Sequence, residues 1–396
     1  MKQIILKVCM MLLAVLCMTA CGNSASKGDT TSKKEAQTET KAKALSKSGK
    51  DKKSAKKVKI AKSSRKKKTV FTPTSAGGPF EILVVADSED FVNGAYDSLY
   101  AVLTDDVEGV AQSEPCFKVH KVAEAAFSRT LRLCRNIIII DIDKTTYNVC
   151  KFKYSKDQYA APQIVMTIQA PDAKQFRHFV TDNRQIITDF FLRAEMNRQV
   201  EMLGNDHSLA LQSKVKSMFG CDIWVPTELN KFKTDRYFLW AANERFRDNV
   251  ELNLNFVMYS YPYRDVNTFT PEYFIHKRDS VMKANVPGPR EGQYMKTTTP
   301  FVLFEDVELH GAYAQIVRGL WDIEGYDMGG PFVSIARVDE KNQRVVVVEG
   351  FVYYPNHPKR DYIRRLEAAL YTLRLPDELD VQNFSYNLDE IIIKPE

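Results

Sequence analysis

Histidine and cysteine are scarce in this sequence, and neither occurs at metal-ligand spacing. The six histidines include no pair two or four residues apart, and the seven cysteines form no CxxC pair. The GxSxG and HExxH motifs and a phosphate-binding glycine loop are also absent. These absences remove the usual signatures of zinc sites and hydrolases, so we predict neither a bound metal nor a cofactor.

Aromatic residues are absent from Gly22 to Thr69. Residues 22–70 hold sixteen lysines, one arginine and four acids, a net charge of +13. So few apolar side chains cannot offset the entropy lost on folding, and this segment is predicted to be a disordered, lysine-rich tether. The tether can bind anionic lipid head groups or cell-wall carboxylates, or it can remain a solvated spacer.

Nucleic acid is excluded as a partner, although the whole chain carries a net charge of +6. From Phe71 onward the sequence has 37 basic and 46 acidic residues. The excess of positive charge therefore belongs only to the leader and the tether, and the part that folds is acidic.

The N-terminus carries an apolar run from Val8 to Ala20 after two lysines. This run of 13 residues is too short for a membrane-spanning helix, which needs about 20, and it predicts a signal peptide over residues 1–21. The run ends in Met18-Thr19-Ala20-Cys21, which resembles the bacterial lipobox except that Met18 stands where leucine is usual.

Cys21 is the predicted lipid attachment site, because the lipobox supplies this thiol for a thioether to diacylglycerol. Several acyl chains, at about 0.8 kcal/mol per buried CH₂, make such an anchor effectively permanent. The residue after Cys21 is Gly22 rather than aspartate. By resemblance to bacterial lipoproteins, this favours the outer membrane, and we predict its periplasmic face.

Short apolar strands and amphipathic helices alternate along the rest of the chain. Long hairpins such as 331–353 argue against a doubly wound parallel fold. The pattern predicts the α+β class, with mainly antiparallel sheets backed by helices. The predicted divisions are a first α+β half at 71–219, a second α+β half at 220–375 and a C-terminal tail at 376–396.

Four consecutive isoleucines in the segment Asn136 to Ile142 predict a strand that is buried on both faces, at the centre of its sheet. Ala123 to Leu133 is expected to be helical, and Ile391 to Ile393 to add an edge strand. Pro171, Asp172 and Lys174 are expected to open a long helical region that runs to about Arg198 and, after Gly204, on to Phe219. Each half ends in a strand, a proline and a helix, at Pro171 and at Pro355. This repeat favours two related halves, although strand-proline-helix is a common order.

The most unusual local sequence runs from Arg318 to Val333. Adjacent glycines, Gly329 and Gly330, predict a tight turn or bulge with close backbone approach. Trp321 and Tyr326 place aromatic area beside Arg318, so the cluster can stack a sugar or a planar ligand. The simpler interpretation is a hairpin corner that packs on the core.

Two acids, Asp141 and Asp143, follow the isoleucine strand two residues apart, and a pair there could bind a cation or perform acid–base chemistry. The simpler interpretation is that they mark the exit of the strand into solvent. Four cysteines outside the leader can form two disulfides or stay reduced; two of these, Cys134 and Cys150, are predicted to be buried thiols.

The sequence resembles the uncharacterised Bacteroidetes lipoproteins that carry a domain of unknown function of about 300 residues, over roughly 80 to 375. The matching segments are Arg135 to Asp141, Asn285 to Pro289 with Gly292 to Met295, Arg318 to Val333, and Glu349 to Pro355 with Lys359-Arg360. The resemblance implies a lipoprotein of the cell envelope, but it carries no established activity and no catalytic residue.

Together these features predict a lipid-anchored envelope protein that acts as a binding or assembly module, with a protein partner as one option. The alternative is a periplasmic hydrolase that uses carboxylates near Asp141 and Asp143. A deep pocket that gathers acids with shifted pKa values would favour the hydrolase, and an aromatic groove would favour binding.

Overall fold

The structure, a computed structural model, describes residues 72–110, 112–247 and 250–392. These residues form one five-stranded and one seven-stranded sheet together with helices, which confirms the predicted α+β class. Cys21, the signal peptide and the tether lie outside the described residues and stay predictions. Within the described ranges, no helix is both long and apolar enough to cross a membrane.

The isoleucine strand lies at the centre of the first sheet, as predicted. The strands of this sheet are β1 (Glu81–Ala86), β2 (Lys118–Ala123), β3 (Asn136–Ile142), β4 (Lys151–Lys156) and β5 (Ile164–Ala170). Their order is β2-β1-β3-β5-β4, and β3 pairs in parallel with both β1 and β5. Ile137 and Ile138 have no exposed surface, because apolar clusters cover both faces of the sheet.

Helices cover one face of this sheet through residues such as Leu99, Phe176 and Phe190. They are α1 (Ala95–Leu103), α2 (Ala173–Asp182) and α3 (Arg184–Asn205). The next helix, α4 (Leu209–Phe219), packs instead in the core of the seven-stranded sheet. The predicted start of the long helical region is confirmed, because the carboxylate of Asp172 accepts a hydrogen bond from the backbone N–H of Gln175 at 2.9 Å.

The prediction of a helix from Ala123 to Leu133 is wrong. This segment has only two short 3-10 turns, at Glu124–Ala126 and Leu131–Leu133. Its apolar residues Phe127 and Leu131 pack with Ile137 and Val165 on the face of the sheet opposite the helices. The helix-like spacing of these two residues therefore reflects two local contacts with the sheet, since tertiary packing overrides weak propensity.

The second sheet is antiparallel throughout. Its strands are β6 (Lys231–Asp235), β7 (Phe238–Arg247), β8 (Val250–Pro262), β9 (Met295–Leu309), β10 (Ala312–Ile323), β11 (Tyr326–Asp339) and β12 (Arg344–Tyr353). The order is β6-β7-β8-β12-β11-β10-β9. Two further helices, α5 (Pro271–Asn285) and α6 (Arg360–Leu370), pack on opposite faces of this sheet. The valines of β12 alternate between the two faces, with Val345 and Val347 on the side of α5 and Val346, Val348 and Val352 on the side of α6, which reflects this double cover.

Antiparallel pairing predominates over the chain, as predicted, but the first sheet departs from it. Three of its pairings are parallel, and only β4 with β5 is antiparallel. The two halves share the order of strand, proline and helix at Pro171 and Pro355. They do not share a sheet topology, so the expected relation between the halves is not found in the architecture.

The C-terminal segment folds back onto the rest of the chain. Asn197 and Tyr386 exchange two hydrogen bonds, of 2.9 and 2.7 Å, and Glu378 forms an ion pair with Arg337. The prediction of an edge strand at 391–393 is wrong for its first two residues, which belong to the short helix α7 (Asp389–Ile392). Ile393 lies outside the described residues.

Candidate functional site

The predicted cluster at 318–330 is divided between two cavities. Arg318 and Trp321 lie on the same strand, β10, but on opposite faces of the second sheet. A strand turns successive side chains to alternate faces, so residues three apart cannot share one face of it. Arg318 lines a cavity on the side of α6, and Trp321 lines another on the side of α5.

Trp321 is packed in the core, with 2 % of its surface exposed. Its ring meets Phe351 edge to face at 5.4 Å between centroids and lies 6.4 Å from Tyr353. Tyr326, by contrast, is 44 % exposed and borders an open surface groove with Gly329. The hairpin-corner interpretation therefore describes Trp321, and Tyr326 does not stack with it.

Gly329 and Gly330 are required by close backbone approach, as predicted, and not by a turn. A Cβ at Gly330 would lie 2.0 Å from the carbonyl oxygen of Val352, and one at Gly329 would lie 2.6 Å from that of Trp321. Both glycines lie within extended β11, beside a shift of strand register that marks the predicted bulge. The turn itself falls at Gly325, whose φ is +71°.

The cavity that contains Arg318 is the stronger candidate site, and its volume is about 640 Å³. Its walls come from segments far apart in the sequence: the loop after α1, helix α3, strands β9 to β11 and helix α6. Both acidic and basic side chains line it. The charged lining residues are Asp105, Asp106, Glu108, Arg184, Asp189, Arg193, Glu305, Arg318, Arg364 and Glu367.

Arg318 is held in this cavity by two carboxylates. Its Nη1 donates to Glu305 at 2.7 Å, and its Nη2 donates to Glu367 on α6. Burial acts to lower the pKa of Arg318, but the charges of Glu367 and Glu305 outweigh it and raise that pKa. The guanidinium is therefore fully charged and fixed in position, and its charge is already neutralised.

Arg364 is different, because it forms no ion pair with any carboxylate of the described residues. Its Nη1 donates to the carbonyl oxygen of Cys116 at 2.8 Å, and its guanidinium lies over the ring of Phe80 at 4.7 Å. Burial lowers the pKa of Arg364, as expected for a cation that is removed from water. The cavity thus contains a buried positive charge without a direct counter-ion.

Asp189, on α3, is an acid in the same cavity, and it forms no ion pair with any of the described residues. Its carboxylate accepts a hydrogen bond from the side chain of Gln185 at 2.8 Å. Burial raises the pKa of Asp189, the charges of Glu305 and Glu108 raise it further, and the charge of Arg193 lowers it. One cavity therefore combines an unpaired cation and an acid whose charged form is disfavoured.

Asp189, Arg364 and Glu367 were missed by reasoning from the sequence. A signal for Glu367 does exist, because it lies between Ile363 and Leu370 on the apolar stripe of α6. A charged residue at such a position indicates a buried partner or a cavity. Asp189 and Arg364 have no comparable local signal.

Asp141 and Asp143 line neither the cavity that contains Arg318 nor the one that contains Trp321. Asp141 accepts hydrogen bonds from the hydroxyl of Tyr147 at 2.6 Å and from Gln169 at 3.0 Å. Asp143 accepts bonds from Thr145 and Thr146, which lower its pKa to about 2. Hydrogen bonds to Asp143 organise the turn after β3, as in the strand-exit interpretation.

The four described cysteines are free thiols. Cys116 and Cys221 are buried, and burial raises the pKa of Cys221 to about 12. Cys134 and Cys150 are free thiols, as expected, but they are only half-buried, so the expectation that they are buried is wrong for both. Within residues 72–110, 112–247 and 250–392, no group of three or more His, Cys, Asp or Glu side chains could hold a metal ion.

Comparison with known families places this α+β chain beside domains whose activity is not known. Residues 75–203 match the domain of unknown function DUF8532, and residues 208–372 match the domain of unknown function DUF4837. The first match contains β1 to β5, and the second contains β6 to β12. A search of curated proteins finds no match.

Proposed function

We propose that this is a lipid-anchored cell-envelope protein whose folded part binds a small charged ligand in the cavity beside Arg318. The observation that carries the proposal is the pair of charges left without direct ion-pair partners, Arg364 and Asp189, in one cavity of about 640 Å³. Burying an unpaired charge is unfavourable, so such groups are retained where a ligand compensates them.

A ligand that carries both an anionic and a cationic group fits this cavity best. The anionic group would pair with Arg364, and the cationic group would pair with Asp189. Arg318 is already neutralised by Glu305 and Glu367, and its role would be to fix the wall that separates these two charges. With these roles, the cavity would act as a receptor for ligands that carry one positive and one negative group.

The predicted anchor at Cys21 would hold this receptor at the outer membrane, on its periplasmic face. The lysine-rich tether would let the folded part stand away from the bilayer, because a flexible coil of about 49 residues spans roughly 35–40 Å. The tether lysines would add attraction to anionic lipids or to cell-wall carboxylates.

Replacing the thiol tests the anchor. Cys21→Ala is expected to move the protein from the membrane fraction to the soluble fraction, because the thioether to lipid cannot form. Fractionation should be done in high salt, which screens the attraction between the tether and anionic lipids. If the variant still floats with membranes under these conditions, the protein is not held by lipid at Cys21.

Removing one charge tests the cavity. Asp189→Asn keeps the shape of the side chain, and it is expected to weaken ligand binding about tenfold or more, since a hydrogen bond to a charged group contributes about 1.5–3 kcal/mol. Native mass spectrometry of protein extracted from its own membranes would measure the bound fraction. Asp182→Asn, at an exposed position of α2, is the matched control and should retain the ligand.

A periplasmic hydrolase is the second candidate, and the raised pKa of Asp189 favours it. A carboxyl whose pKa is raised keeps its proton to higher pH and is better suited to act as a general acid, with Glu305 or Glu108 as further carboxylates in the same cavity. The residues that would carry such chemistry differ from the predicted Asp141 and Asp143. Turnover of an envelope component that is abolished by Asp189→Asn would favour this candidate over simple binding.

A further inference from the structure

A second cavity, of about 280 Å³, lies on the α5 side of the second sheet, where Trp321 packs. No side chain that lines it carries a formal charge, in contrast to the cavity beside Arg318. Its volume lies at the lower edge of the roughly 300–1,000 Å³ that is usual for ligand pockets. A ligand enclosed there is therefore neutral and has the size of about one ring.

The walls of this cavity are largely aromatic. Trp240 and Trp321 line it together with Phe351 and Tyr353. Trp240 and Tyr353 remain partly exposed, whereas Trp321 and Phe351 are buried, so the cavity has an aromatic floor and an aromatic rim. Aromatic rings in this arrangement offer flat apolar faces to the C–H faces of a ligand ring.

Three buried polar atoms of residues that line the cavity lack hydrogen-bond partners among the described residues. They are the indole Nε1 of Trp321, the side-chain Nδ2 of Asn243 and the side-chain Oδ1 of Asn253. The equivalent N–H of Trp240 is satisfied, since it donates to Asn255 at 3.0 Å. Two donors and one acceptor are thus left over at the same cavity, and an unsatisfied buried polar group is costly.

The cavity is preformed, because hydrogen bonds fix the loop that covers it. The backbone N–H of Gly288 donates to Gln293 at 2.8 Å, and that of Met295 donates to Val286 at 3.1 Å. The side chain of Gln293 also donates to the carbonyl oxygen of Gly325 at 2.7 Å. A ligand would therefore meet a wall that needs no ordering on binding.

We infer that this aromatic cavity binds one ring of an uncharged carbohydrate. A sugar hydroxyl can accept from the Trp321 N–H, and another can donate to Asn253, while the C–H faces of the ring pack on the aromatic walls. A purely apolar ligand would leave all three polar atoms unpaired, and a charged sugar would bury its charge without a counter-ion. The inference is independent of the charged cavity, which lies on the opposite face of the sheet.

Isothermal titration of the full chain with D-glucose, D-galactose, D-mannose and N-acetyl-D-glucosamine tests this inference. At least one of them should bind and change tryptophan fluorescence, because two of the three tryptophans line the cavity. Glucuronate and glucosamine, which carry a charge, should bind at least about tenfold more weakly. If none of the four neutral sugars gives a measurable heat of binding at millimolar concentration, the inference is overturned.

Two variants assign the binding to the cavity. Trp321→Phe removes the indole N–H and keeps an aromatic ring, and Asn253→Ala removes the free acceptor; each should weaken sugar binding about tenfold. Trp224→Phe is the matched control, because Trp224 stacks on His207 away from this cavity. Wild-type affinity in both cavity variants would also overturn the inference, and Asn253→Ala decides it if Trp321→Phe fails to fold.

Discussion

Glu349→Gln is expected to lower the free energy of unfolding by about 3–5 kcal/mol. Glu349 and Arg278 are both fully buried, and Arg278 donates to the two oxygens of Glu349 at 2.9 and 2.7 Å. The hydroxyl of Ser334 also donates to Glu349 at 2.5 Å. Glutamine has nearly the same shape but no charge, so the variant leaves the buried guanidinium of Arg278 with only the more distant carboxylate of Asp279, 3.7 Å from its Nη1, as a counter-ion.

Chemical denaturation followed by circular dichroism would measure this loss. Glu308→Gln is the matched control, since Glu308 is exposed on β9, and it should change the unfolding free energy by no more than about 0.5 kcal/mol. The double variant Arg278→Leu/Glu349→Leu should recover much of the loss, because it removes both charges. Equal stability of the two single glutamine variants would show that the pair does not act as described.

Ile138→Asp is expected to cost more than about 4 kcal/mol and to leave little folded protein. Ile138 has no exposed surface and lies in the central strand, opposite Val84 on one side and Met166 on the other. An aspartate there would lose the apolar contacts of isoleucine and would bury a carboxylate among apolar side chains.

Ile138→Val is the control for this position. It removes one methylene group and keeps the side chain apolar, so it should cost only about 0.5–1.5 kcal/mol. Thermal unfolding of the two variants beside the wild type would measure both values. If Ile138→Asp melted close to Ile138→Val, the strand would not be enclosed on both faces.

Two elements with strong local sequence signals were predicted correctly. The unbroken apolar run of β3 indicated a central strand, and Asp172 indicated the start of α2, because both signals are contained in a few residues. The parallel pairing of β1 with β3 was not predicted. Strand partners are chosen by long-range packing, and a short apolar run fits either direction.

The candidate site was predicted only in parts for a related reason. The sequence from Arg318 to Gly330 looks like one cluster, but the strand sends Arg318 to one cavity and Trp321 to another. The unpaired charges of Asp189 and Arg364 come from helices 175 positions apart, and only the fold brings them together. The buried pair of Glu349 on β12 and Arg278 on α5 was not predicted, because its two members lie 71 positions apart and only the fold brings them together.

Time-resolved native mass spectrometry would show whether the charged cavity binds a ligand without converting it. The full-length protein would be incubated with an extract of envelope small molecules and sampled over hours, with Asp189→Asn in parallel. We expect a bound molecule whose mass equals that in the extract and does not change with time, and whose occupancy falls in the variant. No bound molecule, or one that the wild type converts to a product, would contradict binding without chemistry in this cavity.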